Sequence, residues 1–286
     1  SEGVEGKFYV WTQEEIEALL GRQTASIAIP YFNVTPKGNF EGKNILHVTK
    51  SPEEFAREKG LEESIVHEEL FKARVLLLEA RNKRIRPLLD DKALTSWNGL
   101  MISALAKAGK VLDDPSFTEK AEKALDFIFK KLRDQKGKLL RRYREGEAQF
   151  DGYLFDYTSI AVACLDLYEA TYKPVYLNQA SELMETVEQK FSAENGAYYE
   201  TADDAEDLII RQITSYDGVE PSGNSNAALA FLRLAAYRVE PTFEEKAVKI
   251  FLTFYDELME YGLNVSHMMQ SLHLYLGGLK EVAIVG

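Results

Sequence analysis

Pro115-Ser-Phe117, Pro174-Val-Tyr176 and Pro241-Thr-Phe243 open three segments that continue in the same way. Phe117, Ala121, Leu125, Ile128 and Leu132 make the first apolar series. Tyr176, Ala180, Met184, Val187 and Phe191 make the second, and Phe243, Ala247, Phe251, Phe254 and Leu258 the third. Each series advances by steps of 4, 4, 3 and 4, which puts all five side chains on one face of an α-helix. Proline in the first turn suits a helix start, because the N–H it lacks has no partner there. The other positions carry charge, Glu119, Lys120 and Lys123 in the first segment and Glu182, Glu185 and Glu188 in the second. These are amphipathic helices with one side in water.

Helices of a second kind lie between them. Residues 99–112 carry Leu100, Met101, Ala104, Leu105, Ala108, Val111 and Leu112, and 158–170 run with little polar interruption through Ile160-Ala-Val-Ala-Cys-Leu165. Residues 227–237 are apolar except for Arg233, and Met268 to Leu276 form a fourth such stretch. A helix that is apolar nearly all round is covered on more than one side. Buried helices alternating with half-exposed ones, at a period of roughly 60–65 residues, describe an inner and an outer ring. The reading is an all-α fold, an α/α toroid, with short strand excursions in its rim loops at Leu139–Tyr143 and Tyr198–Glu200. An open solenoid is the competing architecture, but its units usually run under about 50 residues.

The chain is read as one domain, 1–286, with a less regular lead-in over 1–92 and repeated helix pairs over 93–276. In the lead-in, Lys7–Trp11 alternates like a short strand. Thr12 with Glu15 reads as a capping box opening a helix to Leu20. Residues 31–50 read as loop, Ser51-Pro52 starts a helix that stops at Gly60, and a longer helix covers 61–83.

Three polar, aromatic loops lead into the inner helices. They are Asp90–Gly99 (DDKALTSWNG), Asp151–Thr158 (DGYLFDYT) and Asp217–Ser225 (DGVEPSGNS). Equivalent positions in a ring converge on its axis, so carboxylates at Asp91, Asp156 and Glu220 are expected to share a cleft with Trp97, Tyr157, Asn98, Ser222 and Asn224. Sugars are held in this way, hydroxyls by carboxylates and amides, C–H faces by aromatic rings. The ordinary alternative is local: Asp, Ser, Thr and Asn before a helix act as N-caps, and Asp-Gly doublets form turns. Of the four histidines, His267 begins the last inner helix and is the one placed at the same rim. Asp91, Asp156, Glu220 and His267 are the catalytic candidates, and Trp97, Asn98, Tyr157, Ser222 and Asn224 the binding candidates. No metal-ligand spacing appears and no cofactor is called for. Cys164 lies in an apolar run, which reads as packing.

The bulk composition narrows the partners. The chain has 286 residues, 45% hydrophobic and 28% charged, with a net charge of −12. Nucleic acid is a poor partner for such a surface. A single cysteine excludes a disulfide within the chain and points to a reducing, cytoplasmic setting. No apolar run approaches the ~20 residues of a membrane span. The Ser-Glu-Gly start fits a piece cut from a longer protein, with any targeting segment lost.

The segments DDKALTSWNG (Asp90–Gly99), FDY (Phe155–Tyr157) and EPSGNS (Glu220–Ser225), with SEGVEGKFYVW (Ser1–Trp11) and GNFEGKNIL (Gly38–Leu46), resemble the YyaL-like family, relatives of spermatogenesis-associated protein 20. The resemblance implies a thioredoxin-like domain followed by an (α/α)6 barrel related to N-acylglucosamine 2-epimerase and glycosidase-like toroids. It further implies that this chain lacks the thioredoxin domain and the first part of the barrel. The chain would then hold inner helices three to six, with residues 277–286, including Val282–Gly286, opening a truncated C-terminal segment. An incomplete ring exposes apolar flanks, to be filled by the missing part of the protein or by an oligomer. Three functional readings follow. One is a carbohydrate-active enzyme, either epimerase-like, needing an acid/base pair, or hydrolase-like, needing two carboxylates within about 10 Å. The second is a non-catalytic sugar-binding or scaffold module, and the third is an interaction scaffold whose cleft is blocked.

Overall fold

A computed structural model describes residues 2–205 and 208–278. Val282–Gly286, expected to open a C-terminal segment, lie outside the described residues. Contacts divide the chain after Asp90 into two units.

The first unit holds three helices, α1 (Gln13–Tyr31), α2 (Pro52–Lys59) and α3 (Glu63–Asn82). The capping box at Thr12 and Glu15 forms as expected, each side chain taking the other's backbone N–H. The helix does not end at Leu20. Gly21 leaves helical geometry at φ 72°, and a second helical piece continues to Tyr31, a break that glycine accommodates at little cost. Lys7–Trp11 is turn rather than strand, with a single bridge from Trp11 to Asn44. The Arg84 guanidinium lies 3.8 Å from the Trp11 ring centroid and donates to the carbonyls of Phe8 and Val10. Trp11, Ile16, Ala28, Tyr31, Phe55, Val66, Leu70 and Leu77 form the unit's core.

The second unit carries the repeat. Four inner helices, α4 (Thr95–Leu112), α6 (Leu154–Thr171), α8 (Gly223–Arg238) and α11 (Ser266–Gly277), lie side by side in that order. The outer helices α5 (Pro115–Lys131), α7 (Pro174–Phe191) and α9 (Pro241–Thr253) pack on α4, α6 and α8 respectively. This is the α/α toroid pattern. Of the five-residue series, every member but Phe117 and Tyr176 is buried in the shared core. The third series is interrupted at Phe254, where the helix ends and the short α10 (Tyr255–Glu260) begins.

Between α5 and α6 the chain makes β2 (Leu140–Arg144) and β3 (Glu147–Asp151), and β1 (Ala93–Leu94) joins them in an antiparallel sheet ordered β1-β2-β3. Tyr198 makes only an isolated bridge to Ser192, so the second expected excursion is not a strand.

Close helix contact explains two glycines. A Cβ on Gly99 would sit 2.9 Å from the Ser159 carbonyl carbon, and one on Gly109 would overlap Thr118. α6 and α8 are buried nearly all round, as their composition requires. α4 is not: Ile102, Ala106 and Gly109 are buried, whereas Met101, Val111 and Leu112 are exposed. Its apolar residues form two faces, of which one is buried and the other exposed among the described residues.

Candidate functional site

The inner helices begin about one turn earlier than the apolar runs suggest. Ser96, Trp97 and Asn98 belong to the first turn of α4, Asp156 and Tyr157 to that of α6, and Asn224 and Ser225 to that of α8. The polar motifs are therefore helix starts rather than loops. The first N–H groups of each helix need acceptors, and the motif residues supply them, often to a neighbouring helix.

Asp156 is the main example. It is fully buried. Its Oδ1 accepts from Ser96 N–H at 3.0 Å and its Oδ2 from Tyr153 N–H at 2.9 Å, so one carboxylate ties the start of α4 to that of α6. Asp217 does the same further along. Its Oδ1 accepts from Ser222 N–H at 2.8 Å, and its Oδ2 from His267 and Met268 N–H at 2.8 and 3.2 Å, joining α8 to α11. Negative charge at helix N-termini is favourable in itself. Asn224, also fully buried, accepts from Tyr198 N–H and donates to the carbonyls of Tyr198 and Thr214, each at 2.9 Å.

These bonds correct several expectations. Tyr157 does not line a cleft. It is buried against Phe191, and its hydroxyl accepts from Leu139 N–H at 2.9 Å. Asn224 has its amide committed to backbone. Ser222 is the N-cap of α8, accepting from Ser225 N–H at 3.1 Å. Asn98 donates to the Leu94 carbonyl at 2.8 Å. Asp91 pairs with Arg144 Nε at 2.7 Å, at the edge of the sheet. For these residues the local reading, capping and bracing, accounts for the hydrogen bonds. Burial follows from it, because a helix start packed among its neighbours cannot reach water for its N–H groups.

A further set of polar and aromatic groups lies around the start of α6. Trp97 is 61% exposed. The Arg141 guanidinium lies 4.7 and 4.8 Å from the ring centroids of Tyr153 and Phe155. Arg141 Nη1 stands 3.6 Å from Asp156 Oδ2. Glu220 is half-buried, and its charge is felt at Asp156. Burial drives the Asp156 pKa up to about 6, with Glu220 adding to the rise and the Tyr153 N–H, Arg141 and the Ser96 N–H opposing it. The Glu200 backbone meets the same helix start, its carbonyl accepting from Leu154 N–H, the first residue of α6. Burial raises its pKa to about 7, and its Oε1 has no hydrogen-bond partner. His267 is held as the neutral ring chiefly by burial, and its Nε2 is buried without a partner.

Arg141, Tyr153, Glu200 and Asp217 were not among the residues singled out from sequence. Arg141 and Glu200 sat in segments read only as strand excursions, and nothing in the local pattern distinguishes them. Asp217 opened the third motif and could have been found as the counterpart of Asp151 and Asp90. Among the described residues no group of three or more His, Cys, Asp or Glu is placed to hold a metal, and no helix is long and apolar enough to cross a membrane. Cys164 is buried, with its thiol pKa pushed well up by burial.

No family model matches the chain. Among curated proteins it is 31% identical to an uncharacterized protein of Caenorhabditis elegans, over all of this chain and 42% of that protein. It is 29% identical to human spermatogenesis-associated protein 20, over 99% of this chain and 40% of that one. The chain thus spans about two fifths of the relatives it matches. Among solved structures, a GH76 α-mannanase from Bacteroides thetaiotaomicron aligns with TM-score 0.53 at 15% identity, over 92% of this chain and 79% of that one. A cellobiose 2-epimerase from Bacillus thermoamylovorans aligns with TM-score 0.49 at 18% identity, over 58% and 45%. The mannanase likeness is one of fold, and it agrees with the α/α architecture read from the helix pairs. In sequence, the chain is a homologue of spermatogenesis-associated protein 20, matching a stretch that makes up about two fifths of that protein.

Proposed function

We propose that the chain supplies a carbohydrate-binding and sugar-processing cleft at the start of α6. The observation that carries this reading is the buried Asp156 carboxyl, raised to about 6 and sensing the charge of Glu220, next to Arg141 and the rings of Tyr153 and Phe155, with the Glu200 backbone bonded to the first residue of the same helix. Acid–base sugar chemistry needs one carboxyl that keeps its proton near neutrality and another that does not. Glu200, whose Oε1 is buried without a hydrogen-bond partner, is the proton donor in this reading, and Glu220 is the second carboxyl. Asp156 is a positioning residue, because both of its oxygens are engaged by backbone N–H groups. Trp97, Tyr153 and Phe155 offer apolar faces to a sugar ring. For the epimerase form of the same idea, the neutral His267 ring provides a base.

The test is turnover by the chain on a panel of oligosaccharides and reducing sugars, followed by chromatography of the products. Mannose oligomers belong in the panel because an α-mannanase has this fold. Glu200→Gln and Glu220→Gln should each lower turnover by about 10²-fold or more, the usual scale of an acid–base contribution. Turnover that survives both substitutions sinks the acid–base assignment. One observation favours a second reading, a binding module without catalysis: the expected constellation is largely consumed in bracing helix starts. Sugar binding by calorimetry with no product from any substrate selects that reading. Absence of both binding and turnover leaves the interaction-scaffold reading.

A further inference from the structure

We infer that Arg141 is the seat for a carboxylate of the ligand, so that the cleft takes acidic sugars of the uronic acid class in preference to neutral ones. The inference rests on the sugar-cleft reading above and deepens it.

Arg141 projects from β2 against two neighbouring aromatic rings, with its guanidinium carbon 4.7 Å from the Tyr153 centroid and 4.8 Å from that of Phe155. The two rings are 5.9 Å apart and inclined at 51°. They hold the guanidinium by cation–π contact and limit its rotation. Its Nη1 is buried and has no hydrogen-bond partner. The nearest carboxylate oxygen, Asp156 Oδ2, is 3.6 Å away, beyond hydrogen-bond range, and it already accepts from Tyr153 N–H. Asp156 therefore offsets part of the charge of Arg141 but does not use its donors.

A buried, charged donor with no acceptor is costly, and a guanidinium can only donate. Whatever completes it must bring acceptor oxygens. The side chain as a whole keeps 30% exposure, so a ligand can reach it from solvent. A planar fork of N–H donors is best matched by two oxygens that share a negative charge, which a carboxylate presents at the same spacing. In this reading the body of a sugar attached to that carboxylate rests on the neighbouring rings of Tyr153 and Phe155. A hydroxyl of a neutral sugar gives one acceptor and no charge, and fits the fork less well. Arg141→Lys would keep the charge and lose the fork, so the two variants below separate charge from geometry.

Isothermal calorimetry on the whole chain tests this with D-glucuronate, D-glucose, D-glucose 6-phosphate and acetate as probes, against wild type, Arg141→Gln and Arg141→Lys. D-glucuronate should bind about tenfold or more tighter than D-glucose, the scale of a charge-assisted hydrogen bond. Arg141→Gln should bring the two sugars to equal affinity while glucose itself changes by less than about twofold, and Arg141→Lys should retain only part of the preference. Circular dichroism confirms that each variant is folded. Should Arg141→Gln fail to fold, a full preference in folded Arg141→Lys refutes the role of the fork. Equal binding of glucose and glucuronate by wild type refutes the inference and leaves the sugar cleft standing. Tighter binding of glucose 6-phosphate than of glucuronate assigns the seat to a phosphoryl group instead, and acetate binding as tightly as glucuronate shows a simple anion site. Either of those results overturns the assignment. Binding of none of the sugars removes the sugar cleft and this inference together.

Discussion

Replacing Asp156 by asparagine should change how stability depends on pH. The carboxyl has a folded pKa of about 6 against an ordinary 3.8. The folded state therefore holds this proton more tightly than the unfolded chain does. The stabilisation is complete below pH ~4 and is lost as pH rises through ~6. A gap of about two units corresponds to roughly 3 kcal/mol at 1.36 kcal/mol per unit. Asp156 is fully buried, so solvent screening takes little from that figure. Asparagine has the same shape and does not titrate. Urea unfolding of both proteins by far-UV circular dichroism, from pH 4 to pH 8, gives the difference in stability at each pH. Taking the difference cancels the other titrating groups. Asparagine can accept only one of the two N–H bonds, from Ser96 and Tyr153, which adds a constant penalty of about 1–3 kcal/mol and leaves the slope alone. The variant should therefore gain about 2.5 kcal/mol on wild type between pH 4 and pH 7. A difference that stays flat across this range would refute the claim that burial of Asp156 sets its proton affinity.

Asn224→Ala should cost about 3–5 kcal/mol, because it leaves Tyr198 N–H and the carbonyls of Tyr198 and Thr214 without partners. A loss under 1 kcal/mol in urea titration would mean the amide is free for a ligand after all. Gly99→Ala gains about 1 kcal/mol of helix propensity but forces a methyl against Ser159 backbone at 2.9 Å. The net change should be a destabilisation of about 1–2 kcal/mol, and a higher melting temperature would contradict the close approach of α4 to α6. Trp97→Ala should alter stability by less than about 0.5 kcal/mol, as expected of an exposed surface position, while weakening sugar binding. The opposite pattern would place Trp97 in a packing role.

The unpartnered face of α4 bears on the extent of the fold. Met101, Val111 and Leu112 are exposed there, and apolar side chains clustered on one flank mark a surface that something covers. The chain spans about two fifths of the relatives it matches. We propose that in the longer proteins a further part of the same polypeptide lies on this face.

Helix identity was legible in the sequence wherever one face had to be apolar. The five-residue series of the outer helices and the runs of the inner ones follow from a period of 3.6 residues, and proline marks each outer start. The same rule misplaced the inner helix starts by a turn, because Ser96, Asp156 and Asn224 are polar yet buried. A polar residue in the first turn looks like loop when the acceptor it provides serves a different helix. The family resemblance rested on those very motifs, DDKALTSWNG, FDY and EPSGNS, although their role in this chain is mostly to brace the helix starts.

Periodicity and composition by themselves determined that this chain forms paired helices in two layers, since side-chain direction along a helix depends only on spacing. Which motif residues are committed to hydrogen bonds within the fold was decided by tertiary structure alone. Hydrogen bonds between Asp156 and Ser96, between Asp217 and His267, and from Leu139 N–H to Tyr157 link residues 18 to 60 positions apart. Such bonds consume groups that look available in sequence and leave Arg141 and Glu200, which local pattern does not distinguish, with unpaired polar atoms. Burial and partner choice are properties of the packed chain, and no local window contains them.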